Sequence, residues 1–166
     1  MLLTELVPII NDKQATIDYL KANRLIASRK FCNKCHQPMQ FSAYQASNDR
    51  WVWRCSKAQC KKRISIRSNS FFEKSHLSLG KSLFTIYLWC RNYNVKDAVL
   101  ETEISKTTII DWFRFCRDIV FFHFERNNQD MIGGIDTIVE IDESVISKRK
   151  YNKGRLIKQQ WIFGGI

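Results

Sequence analysis

No stretch of this chain reaches the roughly 18 consecutive apolar residues that a membrane-spanning helix needs, so no helical span is expected. Its opening, Met1-Leu2-Leu3-Thr4-Glu5-Leu6-Val7-Pro8-Ile9-Ile10, has no basic n-region and no small-residue cleavage site, and Asp12 follows soon after. That argues against a secretory signal. The expectation is an intracellular protein whose six cysteines are reduced thiols or metal ligands rather than disulfides. Internal repeats and low-complexity tracts are absent too. With 45% hydrophobic and 13% aromatic residues, the composition argues against bulk disorder. The scarce side chain is the carboxylate: 16 Asp and Glu stand against 27 Lys and Arg, for a net charge of +11. The excess is clustered, and a clustered positive charge seeks polyanions, nucleic acid first.

What is present, in 166 residues, is enough for one ordinary domain or two to three small modules. Residues 11–25 read as a short helix, with Asn11 or Asp12 as its cap. Residues 29–74 mix cysteines, aromatics and basic side chains. Within them Arg50-Trp51-Val52-Trp53-Arg54 and Arg63-Ile64-Ser65-Ile66-Arg67 alternate at the strand period of two. Residues 77–126 read as three helices. The first carries a face of Leu79, Leu83, Ile86 and Cys90. Asn94 caps a short second one, and Ser105 caps a longer third with a stripe of Ile109, Phe113, Cys116, Val120 and Phe124. After Gly133-Gly134 strands are expected over 135–145 and 160–166, with a basic loop between. Linkers are expected near Lys74-Ser75 and Asn127-Asn128-Gln129.

Cys32-x2-Cys35 and Cys55-x4-Cys60, separated by 19 residues, have the spacing of two knuckles that converge on one tetrahedral ion. Such an ion replaces a core too small to hold a module of about 45 residues. Structural zinc is the favoured reading; two disulfides or free buried thiols are the alternatives. Four thiolates leave no open coordination position. His36 adjoins Cys35 and reads as a surface histidine, while His76 and His123 lack ligand spacing. Cys90 and Cys116 fall on apolar helix faces, where core packing is the default. The segment is also basic: residues 50–67 hold Arg50, Arg54, Lys57, Lys61, Lys62, Arg63 and Arg67 and no acid, with Trp51 and Trp53 between them. Basic and aromatic side chains together grip phosphates and stack bases. At least one tryptophan is expected to fill the module's own core instead, because neighbours on a strand face opposite sides.

A short second helix, a tight turn and a capped third have the form of a helix-turn-helix, whose last helix enters the major groove. Lys106, Arg114 and Arg117 fall within an arc of about 80° on that helix, partly distinct from the apolar stripe, and Thr107 stands at its start. A plain packing bundle would show a similar face.

Val139-Glu140-Ile141-Asp142-Glu143-Ser144 places Glu140 and Asp142 on one strand face. Acids on one strand supply only part of a two-metal centre, which gathers carboxylates from several elements. This segment, followed by Lys148-Arg149-Lys150-Tyr151-Asn152-Lys153-Gly154-Arg155 and Gln160-Trp161-Ile162-Phe163-Gly164-Gly165-Ile166, closely resembles the DDE transposases of the ISXO-like insertion-sequence group. The eukaryotic relatives of that group are the Merlin elements. The resemblance extends over almost the whole chain, because the order of short helix, zinc ribbon, helix-turn-helix and catalytic strand also fits. It implies a ribonuclease H-like core that cuts and joins DNA at transposon ends with Mg²⁺ or Mn²⁺. Asp142 matches the first catalytic acid and metal ligand, with Glu143 a weaker candidate. The family's later acids are expected beyond Ile166, so enzyme activity is left open.

The expected fold is α+β and multi-module. It comprises an N-terminal helical segment (1–28), a zinc ribbon (29–74), a helix-turn-helix-like module (75–128) and an incomplete ribonuclease H-like β-hairpin (129–166). The expected function is DNA binding, with transposon ends and target DNA as partners and no membrane. The DNA contacts are assigned to Arg50, Arg54, Lys61, Lys62, Arg63, Lys106, Thr107, Arg114, Arg117, Lys148, Arg149 and Lys150. A homo-oligomer is compatible with this reading. The site of action would be nuclear for a eukaryotic element and cytoplasmic for a bacterial one. A catalytically inactive fragment, or a zinc-ribbon module that binds proteins, is the alternative.

Overall fold

Period-two alternation in the cysteine-bearing segment becomes a three-stranded antiparallel sheet, β1 (Met39–Ala43), β2 (Trp51–Cys55) and β3 (Arg63–Ser65), in the order β1-β2-β3. This computed structural model describes residues 1–127, 133–136, 138–145 and 161–165. The register pairs Phe41 with Trp53 and Trp53 with Ile64, so Met39, Phe41, Trp51, Trp53, Cys55 and Ile64 share one face. Trp53 is buried there, and Trp51 stacks on Phe41 with ring centroids 4.7 Å apart. Gln40, Ser42, Arg54 and Arg63 take the opposite face with Val52 and Ser65.

The helices are α1 (Leu3–Asn11), α2 (Lys13–Ala22), α3 (Leu79–Cys90), α4 (Val95–Thr102) and α5 (Lys106–Asn127). The caps expected from sequence form. Asp12 accepts the Ala15 N–H at 2.6 Å, Asn94 that of Asp97 at 2.9 Å, and Ser105 that of Thr108 at 3.3 Å. α1 was not expected, and Pro8 lies inside it. It is held by tertiary packing of Leu6 and by Thr16, whose hydroxyl donates to the carbonyls of Ile9 and Asp12. α1 packs on α3 at Gly80. The Ile10 carbonyl oxygen lies 2.3 Å from where a Cβ on Gly80 would stand. α4 and α5 are joined by Glu103-Ile104-Ser105 alone, with Glu103 left-handed at φ 56° and Ile104 buried. No helix among the described residues is long and apolar enough to cross a membrane.

The chain forms two compact units, Met1–Arg117 and Asp118–Ile166. In the first, one core gathers Leu6, Ile17 and Leu20 from α1 and α2, Cys32, Trp53 and Ile66 from the sheet region, and Phe72, Leu79, Leu83 and Trp112 beyond it. The segments distinguished by sequence therefore share apolar contacts. A second cluster of Leu88, Ala98, Ile104, Ile109 and Phe113 holds α3, α4 and α5 together. Arg67, expected to serve the basic phosphate-gripping set, is buried instead. Its guanidinium makes a fork to Asp49, Nε to Oδ2 at 2.7 Å and Nη2 to Oδ1 at 2.5 Å, and its Nη1 donates to the carbonyls of Ser75 and Leu77. The stretch expected to be a linker at Lys74-Ser75 is thus pinned to the sheet.

Other expectations are corrected. Cys90 is exposed at the end of α3 rather than in the core, and Val120 and Phe124 are exposed. The expected stripe on α5 is buried only as far as Cys116, and its last member in either apolar cluster is Phe113. In the second unit, β4 (Ile141–Val145) pairs antiparallel with β5 (Trp161–Gly165), placing Asp142 opposite Gly164 and Glu143 opposite Phe163. The strand expected from 135 begins only at Ile141, since 135–136 form a turn.

Two substitutions test these contacts. Gly80→Ala should destabilise, although alanine gains about 1 kcal/mol of helix propensity. The new Cβ meets a backbone carbonyl and forces α1 away at a cost of about 1–3 kcal/mol, which a thermal melt reads as a lower Tm. Asp49→Ala leaves the Arg67 charge buried and half-bonded, and urea unfolding should show a loss of about 3–5 kcal/mol.

Candidate metal centre and basic surface

Two turns of similar build bring the four cysteines together. In the first, the Cys32 N–H donates to Gln37 O at 2.9 Å and the His36 N–H returns to Cys32 O at 2.8 Å. In the second, the Cys55 N–H donates to Lys62 O at 2.8 Å, while Cys60 N–H and Lys61 N–H both reach Lys57 O. In each turn the leading cysteine bonds the carbonyl two residues past the trailing one. The residue after the trailing cysteine is left-handed in both, His36 at φ 56° and Lys61 at φ 45°. A non-glycine residue there costs about 1–2 kcal/mol, a strain that persists where surrounding contacts fix it. The looser x4 spacing of the second pair is absorbed within residues 56–59, and the closing geometry is the same.

The sulfurs cross-pair between the turns: Cys32 Sγ lies 3.7 Å from Cys60 Sγ, and Cys35 Sγ lies 3.4 Å from Cys55 Sγ. All four fall within 4.8 Å of one another, close enough to hold one metal ion. A tetrahedral ion with metal–sulfur bonds of ~2.3 Å requires sulfur–sulfur edges of ~3.8 Å. A disulfide requires ~2.05 Å. Cys32 and Cys55 are buried in the core and Cys35 and Cys60 are half-buried, so the site joins the sheet's apolar face to the surface. His36 is exposed and is not in the ligand group.

The thiols differ electrostatically. The backbone N–H groups of Lys34 and Cys35 lower the Cys32 thiol to about 6, despite desolvation. Burial pushes the Cys55 thiol up to about 12, with the neighbouring sulfurs adding to the shift. In the metal-free cluster backbone donors thus favour the thiolate at Cys32, while burial favours the thiol at Cys55. A cation that binds all four must displace the Cys55 proton. Outside this site, burial raises the Cys116 thiol to about 11, as expected of a packed core cysteine.

The basic side chains expected to meet a polyanion are distributed over two surfaces of the first unit. Arg54 and Arg63 are direct cross-strand partners on the polar sheet face, both exposed. The Arg63 guanidinium stands 4.6 Å from the centre of the Tyr44 ring. Arg50, Lys61 and Lys62 are exposed as well. Lys106, Thr107, Arg114 and Arg117 are exposed on α5, away from the buried Ile109, Trp112, Phe113 and Cys116. Lys148, Arg149 and Lys150 lie outside the described residues. Asp142 and Glu143 are exposed on β4, where Asp142 Oδ1 accepts the Glu143 N–H at 2.8 Å. Among the described residues no further ligand groups gather around Asp142. Sequence reading missed Asp49 and Trp112. The first looked like a turn residue, and the second lies beside the stripe assigned to α5 yet packs edge-on against Phe71 at 5.4 Å. No protein-family model, curated protein or solved structure matches the chain.

Metal analysis of the purified protein should find one ion per chain, and Cys55→Ser or Cys60→Ser should abolish it. Retention should weaken as pH falls. Protons compete with the cation for the thiolates, and each proton displaced on binding costs affinity about tenfold per pH unit.

Proposed function

We propose that this chain binds DNA, with the four-cysteine module as a zinc ribbon and α3–α5 as a helix-turn-helix. In this reading it descends from a Merlin/ISXO-like DDE transposase. Zinc is the ion that suits four thiolates at tetrahedral spacing, in a closed site whose work is structural. The three-residue α4–α5 connection, with left-handed Glu103 and buried Ile104, suits the turn of such a motif. The N-terminal part of α5 would then be the recognition helix, with Lys106 and Thr107 at its start and Arg114 and Arg117 along its exposed side.

The observation that carries the reading is the Arg54–Arg63 pair. Like charges directly opposite on a sheet destabilise it, and no described carboxylate forms an ion pair with either. A phosphate held between the two side chains would relieve that repulsion and form charge-assisted bonds to both. The ribbon would position the protein on the backbone while α5 meets base edges. Asp142 keeps its resemblance-based role as first ligand for Mg²⁺ or Mn²⁺, on a hairpin taken as the start of a ribonuclease H-like sheet. Cutting DNA would need carboxylates from further elements as well.

Fluorescence anisotropy with duplex DNA tests it. With about six phosphate contacts, affinity should fall about 10³-fold between 50 and 200 mM salt. Arg54→Ala combined with Arg63→Ala should weaken binding about tenfold or more and flatten the salt dependence. Asp142→Ala should leave affinity unchanged. Absence of binding at 50 mM salt, or a complex insensitive to salt, sinks the proposal and leaves a protein-interaction role for the ribbon.

A further inference from the structure

A second basic feature lies apart from the Arg54–Arg63 face. Where α2 ends, the loop that follows it folds into a concavity of about 360 Å³, whose wall includes Lys21, Arg24, Ser28, Arg29 and Asn69. It has three cations and no carboxylate. None of the three cations has an ion-pair partner among the described residues. Two acids stand close to the concavity: Asp18, which acts on Lys21 and is engaged by the Gln14 side-chain amide at 3.0 Å from each oxygen, and Glu73, whose carboxylate accepts the Asn69 N–H at 2.9 Å.

A helix C-terminus ordinarily repels anions through its exposed carbonyls. Here three of those carbonyls are taken. Tyr19 O accepts from the backbone and side chain of Asn23, Leu20 O from the N–H groups of Leu25 and Ile26, and Lys21 O from that of Arg24. By contrast, the N–H groups of Ala27, Ser28 and Arg29 make no hydrogen bond to any described residue. The two walls are tied together by Lys30, whose Nζ donates to Ser68 O at 2.8 Å beside Asn69. The concavity is therefore preformed rather than assembled by mobile lysines.

We propose that Lys21, Arg24 and Arg29 form a binding pocket for a phosphate oxyanion. As a contact to a DNA backbone phosphate it rests on the DNA-binding reading above; as a site for free phosphate it does not. The two arginines supply the planar donors that match phosphate oxygens. Lys21 is held in place by its ammonium, 3.3 Å from the centre of the Phe41 ring. Burial lowers the Lys21 ammonium from its ordinary value, against the pull of Asp18, and a bound anion would offset that cost.

The test uses the whole chain and an Arg24→Gln/Arg29→Gln variant, both positions being exposed so that the melting temperature should hold. DNA affinity is measured across salt, and ¹⁵N-labelled protein is titrated with inorganic phosphate at constant ionic strength. The expected result is DNA binding weakened about tenfold in the variant. Its salt slope should be shallower by about one phosphate contact. Saturable phosphate shifts at residues 27–29 and Asn69 should appear in the wild type alone. Phosphate shifts with no DNA binding in the wild type would remove the DNA reading and leave a site for free phosphate. The same shifts alongside unaltered DNA binding in the variant would also assign the pocket to free phosphate. Normal DNA binding in both proteins with no saturable shift would overturn the pocket and leave the DNA reading intact. No response to either ligand would overturn both.

Discussion

A single buried guanidinium sets how the sheet and the helices meet. Arg67 follows β3, and its donors reach back to Asp49 in the turn before β2 and forward to the Ser75 and Leu77 carbonyls ahead of α3. An arginine that leaves water must have its charge matched and its donors engaged, or the cost runs to several kcal/mol. Here one carboxylate supplies the charge and two backbone carbonyls take remaining donors. The path from sheet to α3 is fixed by that requirement. With it fixed, Leu79 and Leu83 enter the same core as Cys32, Trp53 and Phe72.

The four cysteines work on the other flank of that core. Two turns of unequal sequence length end in the same closing bond and the same left-handed residue, which brings the sulfurs to tetrahedral spacing. The asymmetry of the thiols follows from the same geometry. Backbone donors face Cys32, while Cys55 sits where burial outweighs its one backbone donor. The sheet thereby acquires an apolar face closed by sulfur and aromatic rings, and its other face is free to carry Arg54 and Arg63 opposite one another. Stability and the basic surface are thus two faces of one alternating pattern.

Much of this was legible from residues alone. Cysteine spacing pointed to the cluster, period-two alternation located β2 and β3, and Asp12, Asn94 and Ser105 marked three helix starts because capping is a local interaction. α1 was not legible: Pro8 argues against a helix there, and only contacts of Leu6 and Thr16 with distant segments favour one. The apolar stripe of α5 was legible as a period but not in extent. Ile109, Phe113 and Cys116 are buried and Val120 and Phe124 are exposed, and periodicity records a face without recording what covers it.

The sequence by itself determined which residues sit near one another along the chain: the caps, the strand alternation, the paired cysteines and the excess of positive charge. Each depends on neighbours within a few positions or on composition. Only the tertiary structure decided which charges are spent inside and which remain outside. Arg67 and Arg63 are four residues apart in one basic run, yet one is buried against Asp49 and the other stays exposed. Burial depends on what the rest of the chain places overhead, and for Arg67 that information is spread over residues 8 to 18 positions away, beyond the reach of a local pattern.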